Sequence, residues 1–511
     1  MDSVKFKFIK DVNNNAMSTR KKIVVVGGGV AGMAVGIYAQ KNGFDSVIIE
    51  KHIIPGGICT AWYRKGYKFD YCVQWLVGTK SGAFHDTMVE TGILDEGVDV
   101  LDQEIHNMNL SKEGDEFVIY TDLMKWFQYL LKISPKDFRA INKLCSDIRW
   151  ASHLTPFEKA PALRNTFDYF KAFFVNFPSL YVLMRHRSKT YTEYIESLGI
   201  KSPELKNRLL GVYGEKNFAS YAFLLIMGWY FRKNAGYPMG GSLGVAQRMQ
   251  KKYESLGGEF MFKKEVSEIV VENGRARGVK LTDGTFIEAD YVVSAADGYS
   301  TLNKMLGGKF QSDSIKKAYQ EWSLFGSFVQ VSFGVDKKLC TDYPVQVVLA
   351  QGEKIGSTEL SHSYRVLNYS FDPSMAPEGK STIVFRFDSP YDWWISLSKE
   401  EYAKEKDRIL EDAKKLLEKH YPGSAEAIEI TDVATPLTTV RYTGVWKGAY
   451  EGFLSTPKNI INQLDQKLKG LDGFYLAGQW LFPGGGIPPS VHSGKWAIQL
   501  ICRDEKKKFV S

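Results

Sequence analysis

Few side chains in this sequence are spaced for acid–base or nucleophilic chemistry: it holds no Ser/His/Asp set, no paired-carboxylate motif and no H-E-x-x-H run. Its five cysteines, Cys59, Cys72, Cys145, Cys340 and Cys502, form no C-x-x-C pair and have no histidine at a ligand spacing, so neither a metal site nor a disulfide framework is expected. What is spaced for chemistry is glycine. Gly27, Gly29 and Gly32 fill a G-x-G-x-x-G pattern. The first glycine allows a tight turn, the second lets backbone approach a pyrophosphate, and the third lets a helix pack closely on a strand. A loop of this kind holds a dinucleotide through backbone N–H groups and needs no side-chain acid.

The elements around the glycines must aim them. Ile23 to Val26 is a wholly apolar, β-branched run, as a parallel strand covered on both faces requires. A helix follows, thin on the side of Ala31, Ala34 and Gly36, and its N-terminus turns unsatisfied N–H groups and a positive dipole end toward the phosphates. Asn42-Gly43 stops that helix, Ser46 to Ile49 reads as the second strand, and Glu50 closes it about twenty residues after the glycines, where an acid accepts ribose hydroxyls.

Three further stretches carry clustered glycine. Pro55-Gly56-Gly57 follows Lys51 and leads into an aromatic run. From Gly236 to Asp297, a Pro238-Met239-Gly240-Gly241 turn opens an amphipathic helix over Ser242 to Ser255. Turn signals at Asn273-Gly274 and Asp283-Gly284 then divide a β-meander that starts near Val266, and Tyr291 to Ser294 is a short buried strand. Last, Phe474 to Ala477 reads as a strand, Gly478 as a turn, and Pro483-Gly484-Gly485-Gly486-Ile487-Pro488 as a close-approach loop before the final helix.

An acid ending the second strand and followed within a few residues by Gly56-Gly57 resembles the FAD-binding signature of the amine oxidase and phytoene desaturase superfamily. The run from Gly473 to Gly494 resembles the C-terminal signature of phytoene desaturases, carotenoid isomerases and retinol saturases, although Gln479-Trp480 departs from the Gly-Ala-Gly-Thr-His type of carotenoid desaturases. The resemblance implies FAD. Gly27, Gly29, Ala31 and Gly32 would cradle its phosphates, with Gly56, Gly57 and Gly478 close by, and Glu50 beside Lys51 would hold the adenosine ribose. Val266 would lie along the adenine, Gln479 would follow the pyrophosphate turn, and Gly486-Ile487 would lie by the isoalloxazine. The implied fold is α/β, a Rossmann-like, glutathione-reductase-type FAD-binding domain joined to a substrate domain of mixed β-sheet and helices.

At 511 residues, two intertwined domains are expected. Residues 1–20 read as a tail, with Met1 or Met17 as the start; 21–90, 236–298 and 435–511 as the FAD-binding domain; and 91–235 and 299–434 as the substrate domain. Within the latter, Ser134-Pro135 reads as a helix opening, Phe117 to Thr121, Phe325 to Val335 and Thr382 to Asp388 as strands, and Lys399 to His420 as a helix with Tyr402, Ile409, Ala413 and Leu416 on one face. Phe167 to Met184 has an aromatic stripe at Phe170, Phe173, Phe174, Phe177 and Tyr181, followed by basic Arg185 to Lys189. That is the pattern of a helix lying in a membrane surface, or of a core helix with a solvated basic turn. Asp168, Lys171, Asn176 and Pro178 rule against a span. The net charge of +8, from 66 basic and 58 acidic residues spread along the chain, speaks against nucleic acid, and a cytoplasmic, peripheral-membrane setting is expected.

The implied reaction is hydride transfer between flavin and a carbon of a long apolar substrate, a polyene or an unsaturated fatty acid: desaturation, saturation or isomerisation. His492 is the candidate for proton donation, with Asp70, Gln74 and Trp75 as weaker ones. Cys59 reads as a small buried thiol. A flavin amine oxidase, with Trp62, Tyr63, Trp480 and Phe482 as an aromatic cage, and a non-catalytic lipid binder of the same fold, as in the GDP-dissociation inhibitors, are the alternatives.

Overall fold

The computed structural model describes residues 20–511, so the tail and the choice between Met1 and Met17 lie outside the described residues. A five-stranded parallel sheet runs in the order Glu259–Phe262, Asp45–Glu50, Lys22–Val26, Tyr291–Ser294 and Phe474–Leu476. Lys22–Val26 is central: Val24 pairs with Val47 on one side and Val292 on the other. Both faces of this strand are covered, which is why it carries no polar alternation. Ile23 and Val25 face a cluster with helices Val30–Lys41, Gly241–Ser255 and Ile487–Asp504, while Val24 and Val26 face the meander.

Small residues let these helices close on one another. A Cβ on Gly36 would lie 2.6 Å from the Tyr253 ring, and one on Gly494 would lie 2.8 Å from the Ala34 Cβ. The meander, Val266–Glu272, Arg275–Leu281 and Phe286–Glu288, turns at Asn273-Gly274 and Asp283-Gly284 as its dipeptides require.

A seven-stranded mixed sheet stands beside the first, in the order Ile428–Ala434, Phe328–Val335, Ser381–Asp388, Ser363–Asn368, Val345–Leu349, Ile105–Leu110, Glu116–Tyr120. Helix Lys399–His420 covers one of its faces through Ile409, Ala413 and Leu417. The expected stripe is present: Tyr402 and Leu416 pack half-buried against the cluster that holds Ile409, Ala413 and Leu417, and Glu405 is buried too, accepting hydrogen bonds from the Ser357 N–H at 2.6 Å and hydroxyl at 2.7 Å. The strand expected from Phe325 begins at Phe328.

A helical layer spanning Leu123–Ile133 to Ser220–Phe231 closes over the other end. Ser134 does not cap a helix directly; its hydroxyl donates to Asp137 at 2.7 Å, and a short turn, Pro135–Asp137, precedes helix Phe138–Ala151. Helix Thr166–His186 is turned inside out. Its inward face holds Asn176, which accepts from the Thr155 N–H at 2.6 Å, and Ser179, which donates to the Ala151 carbonyl at 2.8 Å. Phe170, Phe174 and Met184 point outward, 61%, 61% and 77% exposed, so the core-helix reading of this stripe is corrected.

Candidate functional site

The turn after the first strand, the loop after the second and the turn before the last helix meet at one place. Gly27 has φ +96°, and a Cβ on Gly32 would lie 2.0 Å from the Gly27 carbonyl oxygen, so both positions require glycine for the turn itself. Gly29 differs. Its added Cβ would find only the Gly56 carbonyl oxygen, 3.8 Å away, which leaves its far side open to a ligand. The Gly56 N–H donates to the Gly28 carbonyl at 2.9 Å, and a Cβ on Gly57 would touch the Gly29 Cα at 3.4 Å. On the other side Gly478, with φ +112°, faces the Ala31 Cβ at 3.8 Å, and its N–H is held by the Ser493 hydroxyl at 2.7 Å.

Helix Val30–Lys41 starts at this point with no acid in its first turn. Its positive end is therefore free for an anion. Glu50 is buried at the end of the second strand, where it accepts the Gly28 and His52 N–H groups, both at 2.7 Å. Its main-chain carbonyl accepts from the Lys264 N–H at 3.0 Å, which brings the start of the meander, and Val266, to the same edge. Lys51 reaches the Arg441 carbonyl at 3.3 Å. Gly486, with φ +85°, begins the final helix, with Ile487 in its first turn.

Apart from Gly28, Gly32 and Ser493, which do not reach it, these residues border a cavity of about 1790 Å³. A pocket for one small ligand holds about 300–1,000 Å³, so there is room for a dinucleotide and a second molecule together. Past the glycines, the walls are Tyr221, Ala222, Leu225 and Trp229 of the helical layer and Val345 and Val347 of the seven-stranded sheet. Gln74 and Trp75 also border it.

Three of the residues singled out above have other employment. Asp70 is fully buried and accepts from the Ser242 N–H at 2.7 Å, the Ser242 hydroxyl at 2.6 Å and the Cys72 N–H at 3.0 Å. It fastens the start of helix Gly241–Ser255 and does not border the cavity, so its reading as a candidate proton donor is corrected. Burial pushes its carboxyl upward against those hydrogen bonds. Cys59 borders the cavity but is buried, its thiol pointing at the Ser242 carbonyl; contact with the Cys72 thiol and burial push it well above the usual thiol range. His492 borders the cavity as well, yet both its nitrogens are engaged. Nε2 faces the Phe157 carbonyl at 2.7 Å, which can only accept, so Nε2 carries the proton, and Nδ1 lies 2.8 Å from the Thr87 hydroxyl, whose single proton it shares with the Ala83 carbonyl, also at 2.8 Å. Burial lowers its pKa to about 4.

Sequence reasoning missed Gly28, Ser493 and a group of ionisable residues on the cavity wall: Arg365, Arg386 and Asp388 on neighbouring strands, with Glu215 and Glu451 from loops. Charged residues within strands otherwise made of Val, Phe and Leu were the available signal for the first three.

A glycine cradle at the C-terminal edge of a parallel sheet, joined to a large apolar chamber, defines a dinucleotide-dependent oxidoreductase. The chain belongs to the flavin containing amine oxidoreductase family, whose pattern matches residues 30–502, and it is similar to carotenoid isomerases and desaturases. It is 24% identical over 503 residues to the chloroplastic prolycopene isomerase of Daucus carota, covering 94% of this chain and 80% of that one. It is 26% identical over 517 residues to the neurosporene-forming phytoene desaturase of Rhodobacter capsulatus, covering 94% of each. Among solved structures, a redesigned putrescine oxidase superposes with a TM-score of 0.60 at 14% identity, over 95% of this chain and 99% of that one. Amine-oxidase-type neighbours of this kind share the α/β architecture.

Proposed function

We propose that the protein is an FAD-dependent oxidoreductase that acts on carbon–carbon bonds of a long apolar lipid, by desaturation, saturation or isomerisation. The observation that carries this reading is the continuity of one cavity from the Gly29, Gly56 and Gly478 cradle to a chamber walled by Leu225, Trp229, Val345 and Val347. FAD would supply a hydride acceptor or donor. The chain supplies the rest. The N–H groups at the start of helix Val30–Lys41 hold the diphosphate, Glu50 the ribose, and the apolar walls exclude water and align an extended chain. Segments 21–90, 236–298 and 435–511 act as the cofactor half, and the remainder as the substrate half.

Among the described residues no helix is long and apolar enough to cross a membrane. Helix Thr166–His186 is proposed to lie on a membrane surface instead, aromatic side down, with Lys171, Arg185 and Arg187 toward anionic headgroups. The Phe157 ring lies 5.6 Å from Tyr169 of this helix and borders the cavity, so lipid leaving the surface would meet an entrance there. A cytoplasmic location with peripheral attachment accords with this.

Trp62, Tyr63, Trp480 and Phe482 all border the cavity, but Trp480 is packed against Phe453 at 5.1 Å and Tyr319 at 5.9 Å, which suits a wall better than an amine cage. Anaerobic incubation of the flavin-loaded protein with polyenes, unsaturated fatty acids and amines, following the flavin spectrum and product mass, tests the reading. Polyenes or fatty acids should change the flavin spectrum; a response to amines alone would sink it.

A further inference from the structure

The chamber that would hold an apolar chain is not apolar throughout. On the sheet face that closes it, Arg365 stands directly across from Arg386 on the next strand, with Asp388 two residues on. Like charges opposite each other on a sheet are destabilising, so this pairing needs a reason. Arg386 has one. It is 8% exposed, donates to the Gln330 side chain at 2.9 Å and the Asp70 carbonyl at 3.0 Å, and lies on the Phe328 ring at 5.2 Å. Arg365 has no such engagement: among the described residues its side chain takes part in no hydrogen bond and no ion pair within 4.0 Å, and it is exposed to the cavity that it lines.

Its charge is nonetheless felt all around it. Glu451, Asp388 and Glu215 line the cavity within reach of the Arg365 charge, and among the described residues none of their carboxylates accepts a hydrogen bond. The Tyr230 hydroxyl, on a residue only 4% exposed, also borders this space and has no partner among the described residues; its ring lies 4.2 Å from that of His106. A buried hydroxyl left without a partner costs on the order of 1–3 kcal/mol, and covering the cavity-exposed Arg365 and Asp388 with hydrocarbon, without giving them a partner, costs more. A pure hydrocarbon in this chamber would leave all of these groups unsatisfied.

We infer that Arg365 is the clamp of a head-group subsite, and that the lipid this protein takes carries a terminal carboxylate. This rests on the lipid reading above and narrows it to fatty-acid-like substrates. A guanidinium presents two parallel N–H groups that match a carboxylate, and it stays charged at any accessible pH. The acids around it can give way. Burial lifts the Glu451 carboxyl to about 7, so it can take up a proton and donate to a carboxylate oxygen, and burial raises those of Asp388 and Glu215 in the same direction. Arg365 keeps its charge whether or not these acids hold a proton, so it is the group in the subsite that a carboxylate head can always meet.

The flavin-loaded full-length protein, titrated calorimetrically with linoleic acid, methyl linoleate, linoleyl alcohol and linoleylamine, tests this. Linoleic acid should bind at least tenfold more tightly than the ester, and Arg365→Gln should remove that preference. Comparing linoleic acid with linoleamide on the unaltered protein asks the same question if the variant does not fold. Equal binding of acid and ester, or tightest binding of the amine, overturns the subsite while leaving the lipid reading standing. Binding of none of the four, with the flavin responding only to short amines, overturns both.

Discussion

The Glu50 carboxylate accepts the Gly28 N–H at 2.7 Å, so the acid that ends the second strand also sets the shape of the turn that ends the first. The side chain proposed to bind the ribose therefore also shapes the turn. A hydrogen bond to a charged acceptor contributes about 1.5–3 kcal/mol. Glu50→Gln should weaken FAD retention by roughly ten- to a hundredfold, measured as the flavin-to-protein absorbance ratio after gel filtration; an unchanged ratio would refute the assignment.

Gly29 and Gly32 separate folding from binding. Gly29 has φ −68° with open space at its Cβ, so Gly29→Ala should leave the melting temperature of the flavin-free protein unchanged and lower FAD affinity at least about tenfold, ~1.4 kcal/mol. Gly32→Ala drives a methyl to 2.0 Å from the Gly27 carbonyl oxygen and should prevent stable folding. If Gly29→Ala binds FAD normally, the phosphates do not pass there.

His492 should make the protein acid-sensitive within a defined window. Its folded pKa, about 4, lies below the ordinary 6.5, so the unfolded chain binds the extra proton. The stabilisation is complete above pH 6.5 and is lost as pH falls through 4, on the order of 3 kcal/mol in all. The melting-temperature gap between wild type and His492→Gln should therefore narrow from pH 7.5 to pH 4.5. A gap independent of pH argues against a neutral, doubly engaged imidazole.

The outward rings of helix Thr166–His186 touch little of the protein's interior, so replacing Phe170, Phe174 and Phe177 together by Ser should not lower thermal stability. Co-sedimentation with vesicles containing phosphatidylserine should fall at least tenfold. Retained sedimentation would mean that this surface is not what meets the bilayer.

Much of the cofactor half was legible because its signals are local. A β-branched run, a glycine turn and a terminal acid lie within residues 22 to 50, and Asn273-Gly274 states its own turn. What was not legible was assembled from afar. His492 sits two residues from Ser490, which suggested a place by the flavin, but its partners Thr87 and Phe157 lie 405 and 335 residues away. The stripe on Thr166–His186 marked an apolar face without saying whether anything covers it; that depended on Asn176 and Ser179 turning inward to bond with Thr155 and Ala151. The Arg365 subsite draws on strands and loops from residue 215 to residue 451, and no window of sequence contains it.

The parallel sheet takes its edge strand, Phe474–Leu476, from the far end of the chain, and this strand pairs with Tyr291–Ser294. During synthesis, 182 residues separate Ser294 from Leu476. At about 5–20 residues per second the ribosome needs roughly 10–40 s to make them. For that interval the nascent sheet exposes an unpaired apolar edge, and the Gly478 side of the cradle does not yet exist. Flavin capture is thus a late event in the life of each molecule, and the unfinished edge is where a chaperone would be needed.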